Sequence, residues 1–284
     1  ACVNAPMMQI NQDYFEDLDE SSTENIIKKL LEDEYIEPGS TKKRKSNAPE
    51  KSRLTLLETK NDYLIKGFQM EGIRNIGKPL DYAKKYYQMG AHEIIIIDSV
   101  ASYYNRKNLF DLIKNLTKEI FIPLTIGGGI RTLENINQCL KIGADKVAIN
   151  SSAIKNPSFL KNAVNEFGES TIVSYIEVKK LNNKYFAYFN NGRENSEILL
   201  QDWLKIVQEM GCGEILAKSI DRDGTRTGLD YELINILKKK TKKPFIYCGG
   251  LKDEKDLKNF KKKFPKEAIA VSSAFHFNLI NSIK

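Results

Sequence analysis

The sequence is short of cysteine, histidine and tryptophan, and it has no long apolar run. Its four cysteines, Cys2, Cys139, Cys212 and Cys248, lie far apart and form no CxxC pair. That excludes a disulfide framework and points to a reducing, cytoplasmic setting. The two histidines, His92 and His276, sit in no ligand-spaced motif, which argues against a metal centre. His276, flanked by Phe275 and Phe277, reads as a packed aromatic turn. The longest apolar run, Ile94 to Ile97, is strand-sized and far below the ~18 residues a membrane span needs. Ala1-Cys2-Val3-Asn4 offers neither the basic start nor the apolar core of a signal peptide, and the missing initiator methionine suggests a fragment or a processed start. Also absent are GxSxG, a Walker A sequence and any cysteine–histidine pairing. The net charge of +7 invites a nucleic-acid reading. The lysines, however, lie on helix-like stretches such as Lys238–Lys240 and Lys261–Lys263, without interleaved aromatics to stack bases. Attraction of a small anionic substrate fits the charge better.

The chain that is there changes character near residue 60. Residues 1 to 36 are acidic (Asp13, Glu16, Asp17, Asp19, Glu20) and carry a helical stretch, Thr23 to Tyr35. Pro38-Gly39-Ser40 breaks that helix, and Thr41 to Arg53 reads as a basic, turn-rich linker. The division is therefore 1–53, a short non-barrel segment, and 54–284. In the second part, β-branched runs alternate with lysine-rich amphipathic stretches. Candidate strands are His92–Ser99, Phe121–Gly128, Lys146–Ser151, Thr171–Lys179, Glu214–Asp221, Pro244–Gly249 and Ala268–Ser273. Candidate helices are Pro79–Met89, Leu133–Ile142, Ser158–Phe167, Leu199–Met210, Tyr231–Thr241 and Asp253–Phe264. Strict alternation implies a parallel sheet covered by helices, and so many strands favour an α/β (β/α)8 barrel, with an eighth, doubtful strand near Leu54–Lys66.

An internal repeat supports this. Glu93 to Asp98 recurs as Glu214 to Asp221, Pro123 before Gly127-Gly128-Gly129 as Pro244 before Gly249-Gly250, and Asn150-Ser151-Ser152 as Ser272-Ser273-Ala274. The offset is about 120 residues, half a barrel of ordinary size. In such barrels the strand C-termini line the active site. Glycines there let backbone N–H groups approach an anion. Gly129, Asn150 and Ser151 form one candidate phosphate cup. Gly224, Gly250, Ser272 and Ser273 form its mirror image. Two cups imply an elongated substrate with a phosphate at each end. The acidic residues at strand mouths, Asp98, Glu177, Asp221 and Asp223, are candidates for general acid–base work.

PLTIGGGIRTLENINQCLKIGADKVAINSSAIKNP, GCGEILAKSIDRDGTRTGLD and SSAFHF closely resemble the cyclase subunit of imidazole glycerol phosphate synthase, over roughly residues 64 to 284. That resemblance implies ammonia taken from a glutaminase subunit and used to close an imidazole ring. The implied substrate is a bisphosphorylated ribulosyl formimino-aminoimidazole carboxamide ribonucleotide. The implied products are imidazole glycerol phosphate and aminoimidazole carboxamide ribonucleotide, with no cofactor and no metal. By position it gives the phosphates to the two cups just described. It gives Lys66 to the mobile first loop, Glu177 to the second catalytic aspartate, and Asp98, Asp221 and Asp223 to further acidic positions. Glu93, Lys146 and Glu214 match a charged ring at the barrel's base where ammonia enters. Three departures stand out: Glu58 falls where the family's first-strand aspartate lies, Glu177 is also a glutamate, and Lys218 stands where threonine is usual. KGFQMEGIRNIGKP resembles sister proteins of surface-sugar loci, which implies ammonia supply for sugar amidation as an alternative. The opening ACVNAPMMQINQDYFEDL, with PGS and SNAPEKSRLTLLE, resembles the C-terminal tail of the thioredoxin-like [2Fe-2S] component of NADH:quinone oxidoreductase. There Cys2 would be one of four cluster ligands, and one thiolate cannot hold a cluster. On that reading Glu58 belongs to a foreign tail, and an inactive fusion is a further alternative.

Overall fold

In a computed structural model the described residues are 8–10, 13–16, 18–32, 34, 36, 39–40, 53–60, 63–99 and 107–277. Cys2 and the linker at 41–52 lie outside them. Eight parallel strands form a ring: β1 (Arg53–Lys60), β2 (Glu93–Asp98), β3 (Leu124–Gly127), β4 (Lys146–Ile149), β5 (Ile172–Leu181), β6 (Glu214–Ser219), β7 (Phe245–Cys248) and β8 (Ala268–Val271). Each pairs with the next in parallel register, and β8 pairs with β1 through Ile269 against Arg53 and Val271 against Thr55. Pairing of Leu54 with Glu93 through Thr59 with Asp98 binds β1 to β2. The strand that looked doubtful in the sequence therefore closes the barrel.

The strands read as short apolar runs because both their faces are covered. Inward, Leu56, Ile95, Val173, Tyr175, Leu216, Ile246, Cys248 and Ala270 fill the barrel axis. Outward, residues such as Leu57, Ile94, Ile96, Val147 and Ile215 pack against the helices. Those helices are α1 (Pro79–Gln88), α2 (Lys107–Leu116), α3 (Leu133–Lys141), α4 (Ser158–Phe167), α5 (Leu200–Glu209), α6 (Tyr231–Lys240) and α7 (Glu254–Lys263). Their starts follow local chemistry. Pro79 supplies a preset φ at N1 of α1; Thr132 and Asn135 form a capping box on α3; Asp230 and Asp253 cap α6 and α7.

Two hairpins extend from the mouth. Residues beyond β1 do not prolong it. Instead Tyr63–Phe68 turns back antiparallel, with Lys60 against Tyr63, and pairs with Glu71–Gly77. This corrects the single strand expected over Leu54–Lys66. The second arm, Lys184–Phe189 with Glu194–Leu199, continues antiparallel from β5. Asn182 and Asn183 both take positive φ at its two-residue turn, the geometry asparagine tolerates best.

In the N-terminal segment Met8–Ile10 pairs with Asp13–Glu16, and Gly39–Ser40 adds in parallel. Phe15, Leu18 and Ile26 form a small core with Met8 and Ile36. Its helix spans Glu20–Leu31, not Thr23–Tyr35, because the Asp19 side chain accepts the Ser22 N–H at 2.8 Å and starts the helix earlier. Among the described residues no helix is long and apolar enough to cross a membrane.

Candidate active site

The C-terminal ends of the strands carry two recesses. One, of about 400 Å³, opens beside β3 and β4 and is lined by Asp98, Gly128, Gly129, Asn150, Ser151, Tyr175 and Glu177, among others. The other, narrower, lies by β7 and β8, between Asp223, Gly224, Gly249, Gly250, Ser272 and Ser273. In a ring of eight, β3 and β7 stand four places apart, as do β4 and β8, so the recesses face each other across the mouth.

Their backbones repeat as well. Gly128 and Gly129 have φ of 99° and 59°; Gly249 and Gly250 have 126° and 80°. Asn150 (φ −122°, ψ −86°) and Ser272 (φ −125°, ψ −87°) lead into short helices at Ser151 and Ser273 in nearly identical conformations. Glycine is required at Gly128, where a Cβ would lie 2.1 Å from the Asp98 carbonyl oxygen. In the first recess, Ser151 Oγ accepts the Asn190 N–H at 3.0 Å, and Asn150 Oδ1 is buried with no hydrogen-bond partner among the described residues. Arg131 and Lys155 add positive charge to the lining.

Between the recesses lies a buried charged group. Lys66 reaches in from the first hairpin and donates to Glu58 Oε2 at 2.9 Å and to Asp223 Oδ1 at 2.5 Å. Lys218 on β6 donates to Glu58 Oε1 and lies 3.6 Å from Asp223 Oδ2. Two cations thus balance two carboxylates. Burial would raise the Glu58 pKa, but Lys218 and Lys66 overcome that and hold it well below the usual carboxylate range. Glu177, next to Lys218 in the β5–β6 register, has no ammonium in contact among the described residues. Burial pushes it up to about 7, against the Gly192 N–H that donates to its Oε2 at 2.8 Å. One carboxylate stays ionised and the other titrates near neutrality.

At the opposite end, Glu93, Lys146 and Glu214 open β2, β4 and β6. Lys146 Nζ donates to Glu93 Oε2 at 2.9 Å and to Glu214 Oε2 at 2.8 Å, all three fully buried. Burial raises Glu214 to about 7, and one ammonium between two carboxylates leaves that outcome in place. Burial also opposes charge on Lys146, yet the two glutamates hold its pKa above the ordinary lysine value.

The sequence-predicted residues thus gather into two recesses, a central charged group and a basal ring, with one exception. Asp221 does not join the central group: its Oδ2 accepts the Lys180 N–H at 2.8 Å, tying the end of β5 to the loop after β6. Asp98 lines the first recess, with its backbone against Gly128. Three contributors were not singled out in the sequence, Tyr175 and the hairpin residues Asn190 and Asn191, and Lys218 was noted only as a departure from threonine. The asparagine turns at 182–183 and 190–191 were the available signal for that hairpin. His276 is packed among Tyr82, Tyr86 and Phe275.

A family model described as "Histidine biosynthesis protein" matches residues 56–281. One described as "Thioredoxin-like [2Fe-2S] ferredoxin" matches residues 1–31. The chain is 42% identical over 196 residues to the imidazole glycerol phosphate synthase subunit HisF of Legionella pneumophila, covering 69% of this chain and 92% of that protein. It is 38% identical over 226 residues to the subunit of the same name from Alkaliphilus metalliredigens, covering 79% and 90%. With that of Lactococcus lactis subsp. cremoris it shares 39% identity over 223 residues, 78% of this chain and 86% of the relative. Glu58 falls inside the longer match, not the shorter one, which corrects its assignment to a foreign tail.

Proposed function

Since the chain belongs to the family of histidine biosynthesis proteins, we propose that it is the cyclase of an imidazole glycerol phosphate synthase. It takes ammonia from a glutaminase partner subunit. It converts the bisphosphorylated ribulosyl formimino-aminoimidazole carboxamide ribonucleotide into imidazole glycerol phosphate and aminoimidazole carboxamide ribonucleotide. The observation that carries this reading is the pair of opposed, backbone-repeating recesses with two unlike carboxylates between them.

Each recess takes one terminal phosphate. Gly129, Asn150 and Ser151 hold one; Gly224, Gly250, Ser272 and Ser273 hold the other. The reacting centre of an elongated substrate then lies over Glu58 and Glu177. Ring closure needs a proton acceptor on the attacking nitrogen and a proton donor to departing oxygen or nitrogen. Glu177, whose pKa lies at about 7, is suited to exchange that proton; Glu58, kept ionised by two ammonium groups, is suited to face the positive charge that develops on the attacking nitrogen. Lys66 and Lys218 fix Glu58 in place, Asp223 anchors both ammonium groups, and Asp98 borders the first phosphate. Ammonia enters past Glu93, Lys146 and Glu214 and travels along the barrel axis. The names of the relatives do not favour the sugar-amidation role or the inactive fusion.

The test is direct. Purified protein given the bisphosphate substrate and a large excess of ammonium salt near pH 7 should form imidazole glycerol phosphate. With glutamine in place of ammonium, turnover should need the glutaminase partner. No product above background in either assay would remove the assignment.

A further inference from the structure

Behind the second recess a line of three buried polar side chains runs from the barrel wall to its rim. The Tyr86 hydroxyl on α1 contacts His276 Nδ1, and His276 Nε2 lies 3.0 Å from Ser272 Oγ. Tyr86 is fully buried, His276 is 5% and Ser272 7% exposed, and Ser272 lines the recess.

Only one arrangement of protons satisfies all three groups. If Nδ1 carried the proton, it would donate to the tyrosine oxygen. The Tyr86 O–H would then point into the core, where the described residues offer it no other acceptor. If Tyr86 donates to a bare Nδ1, Nε2–H must donate to Ser272 Oγ. The Ser272 hydroxyl proton is then free to point into the recess. A charged imidazole is disfavoured, since burial lowers the His276 pKa to about 3, with Lys66 and Lys85 adding to the effect and Glu58 opposing it. Burial likewise keeps the Tyr86 hydroxyl protonated.

We propose that Tyr86 and His276 are positioning residues that lock the Ser272 hydroxyl as a hydrogen-bond donor toward the phosphate in the second recess. Neither touches the substrate. Their effect is orientational: a hydroxyl can donate or accept, and this chain removes the choice. The inference rests on the reading of that recess as a phosphate site. It adds what backbone amides alone would not need, a side chain tuned to an oxyanion. The tyrosine ties the setting to α1, so the recess is held from two sides of the barrel.

With only two histidines in the chain, nitrogen NMR on the full-length, histidine-labelled protein can read the tautomer directly. The expected result is a neutral His276 with bare Nδ1 and protonated Nε2, unchanged from pH 8 to pH 5, with and without inorganic phosphate. A proton on Nδ1, or titration near the ordinary histidine value, overturns the inference. Phosphate should also shift the amides of Gly224, Gly250 and Ser273. If they do not move, the phosphate reading of the recess falls and the inference with it. If they move while Nδ1 carries the proton, the inference falls alone. Tyr86→Phe provides the kinetic arm. KM for the bisphosphate substrate should rise about tenfold or more, the scale of one hydrogen bond to a charged group, while kcat changes far less. A Tyr86→Phe variant with a lowered melting temperature but an unchanged KM would give these residues a packing role only, contrary to the proposal.

Discussion

Glu58 on β1 and Glu177 on β5 are both buried near the barrel's mouth, but of the two only Glu58 is touched by ammonium groups among the described residues, and this difference in neighbours separates their chemistry. Glu177→Gln keeps the shape and removes the proton donor. Turnover should fall about 10²–10⁴-fold, the range for loss of a general acid or base. The parent's fall in activity as pH rises through about 7 should vanish with it. The same substitution has a stability consequence of opposite sign. A folded pKa of about 7, above the ordinary 4.5, means the folded state holds that proton more tightly than the unfolded chain. The stability it contributes is complete below pH 4.5 and is lost as pH rises through 7. Glu177→Gln should therefore gain over the parent between pH 5 and pH 8, by on the order of 2–3 kcal/mol, measured by denaturant titration at both pH values. No gain at pH 8 would contradict the buried, proton-holding environment. Lys218 works the other way. Lys218→Met leaves two buried carboxylates against one ammonium and should cost about 3–5 kcal/mol in the same assay. Glu58 was legible from the sequence as a counted position before Lys66. Its charge state was not, because Lys218 lies 160 positions away along the chain and meets it only in the closed ring.

At the level of elements, parallel strands and their helices were readable because each strand is a short apolar run bounded by glycine, proline or a charge. Glu93–Asp98 and Phe245–Cys248 have that form. The hairpins were less legible. Tyr63–Phe68 follows β1 after only Asn61 and Asp62, and this short polar break was the one sequence mark of the reversal. α2 was missed although Leu109, Ile113 and Leu116 recur at helical spacing. The first hairpin also has a functional position. The Gln69 N–H donates to the Asp223 carbonyl at 2.7 Å, and a Cβ on Gly224 would lie 2.2 Å from the Gly67 carbonyl. Gly224 also has a φ of 71°, which a side chain resists. Gly224→Ala should therefore push the hairpin off the mouth and withdraw Lys66 from Glu58. The expected signs are faster proteolysis within residues 63–77 and at least a tenfold loss in kcat/KM, given the cost of ångström-scale misplacement. Unchanged cleavage and unchanged kinetics would mean that this contact does not hold the hairpin.

Across the whole molecule, a barrel can couple its two ends only through its axis. Here the axis is filled by Leu56, Ile95, Val173, Leu216 and Ile246 between a charged floor and a charged mouth. The floor is a three-residue plug, in which burial raises Glu214 to about 7. Glu214→Gln keeps the Lys146–Glu93 ion pair and removes one of the two carboxylates competing for the same ammonium. The fold should tolerate it, because the remaining pair is balanced and glutamine matches the volume. Ammonium supplied from solution can reach the mouth directly, so turnover driven by ammonium salt should stay near the parent's. Ammonia from a glutaminase docked at the floor has to pass the altered plug. The ratio of glutamate released to imidazole glycerol phosphate formed should then rise from about one to several, as hydrolysis proceeds while transfer lags. Measuring both products in one assay separates the two entrances. If the ratio stays at one while both rates fall together, the floor serves only stability, and ammonia reaches Glu58 and Glu177 by another path.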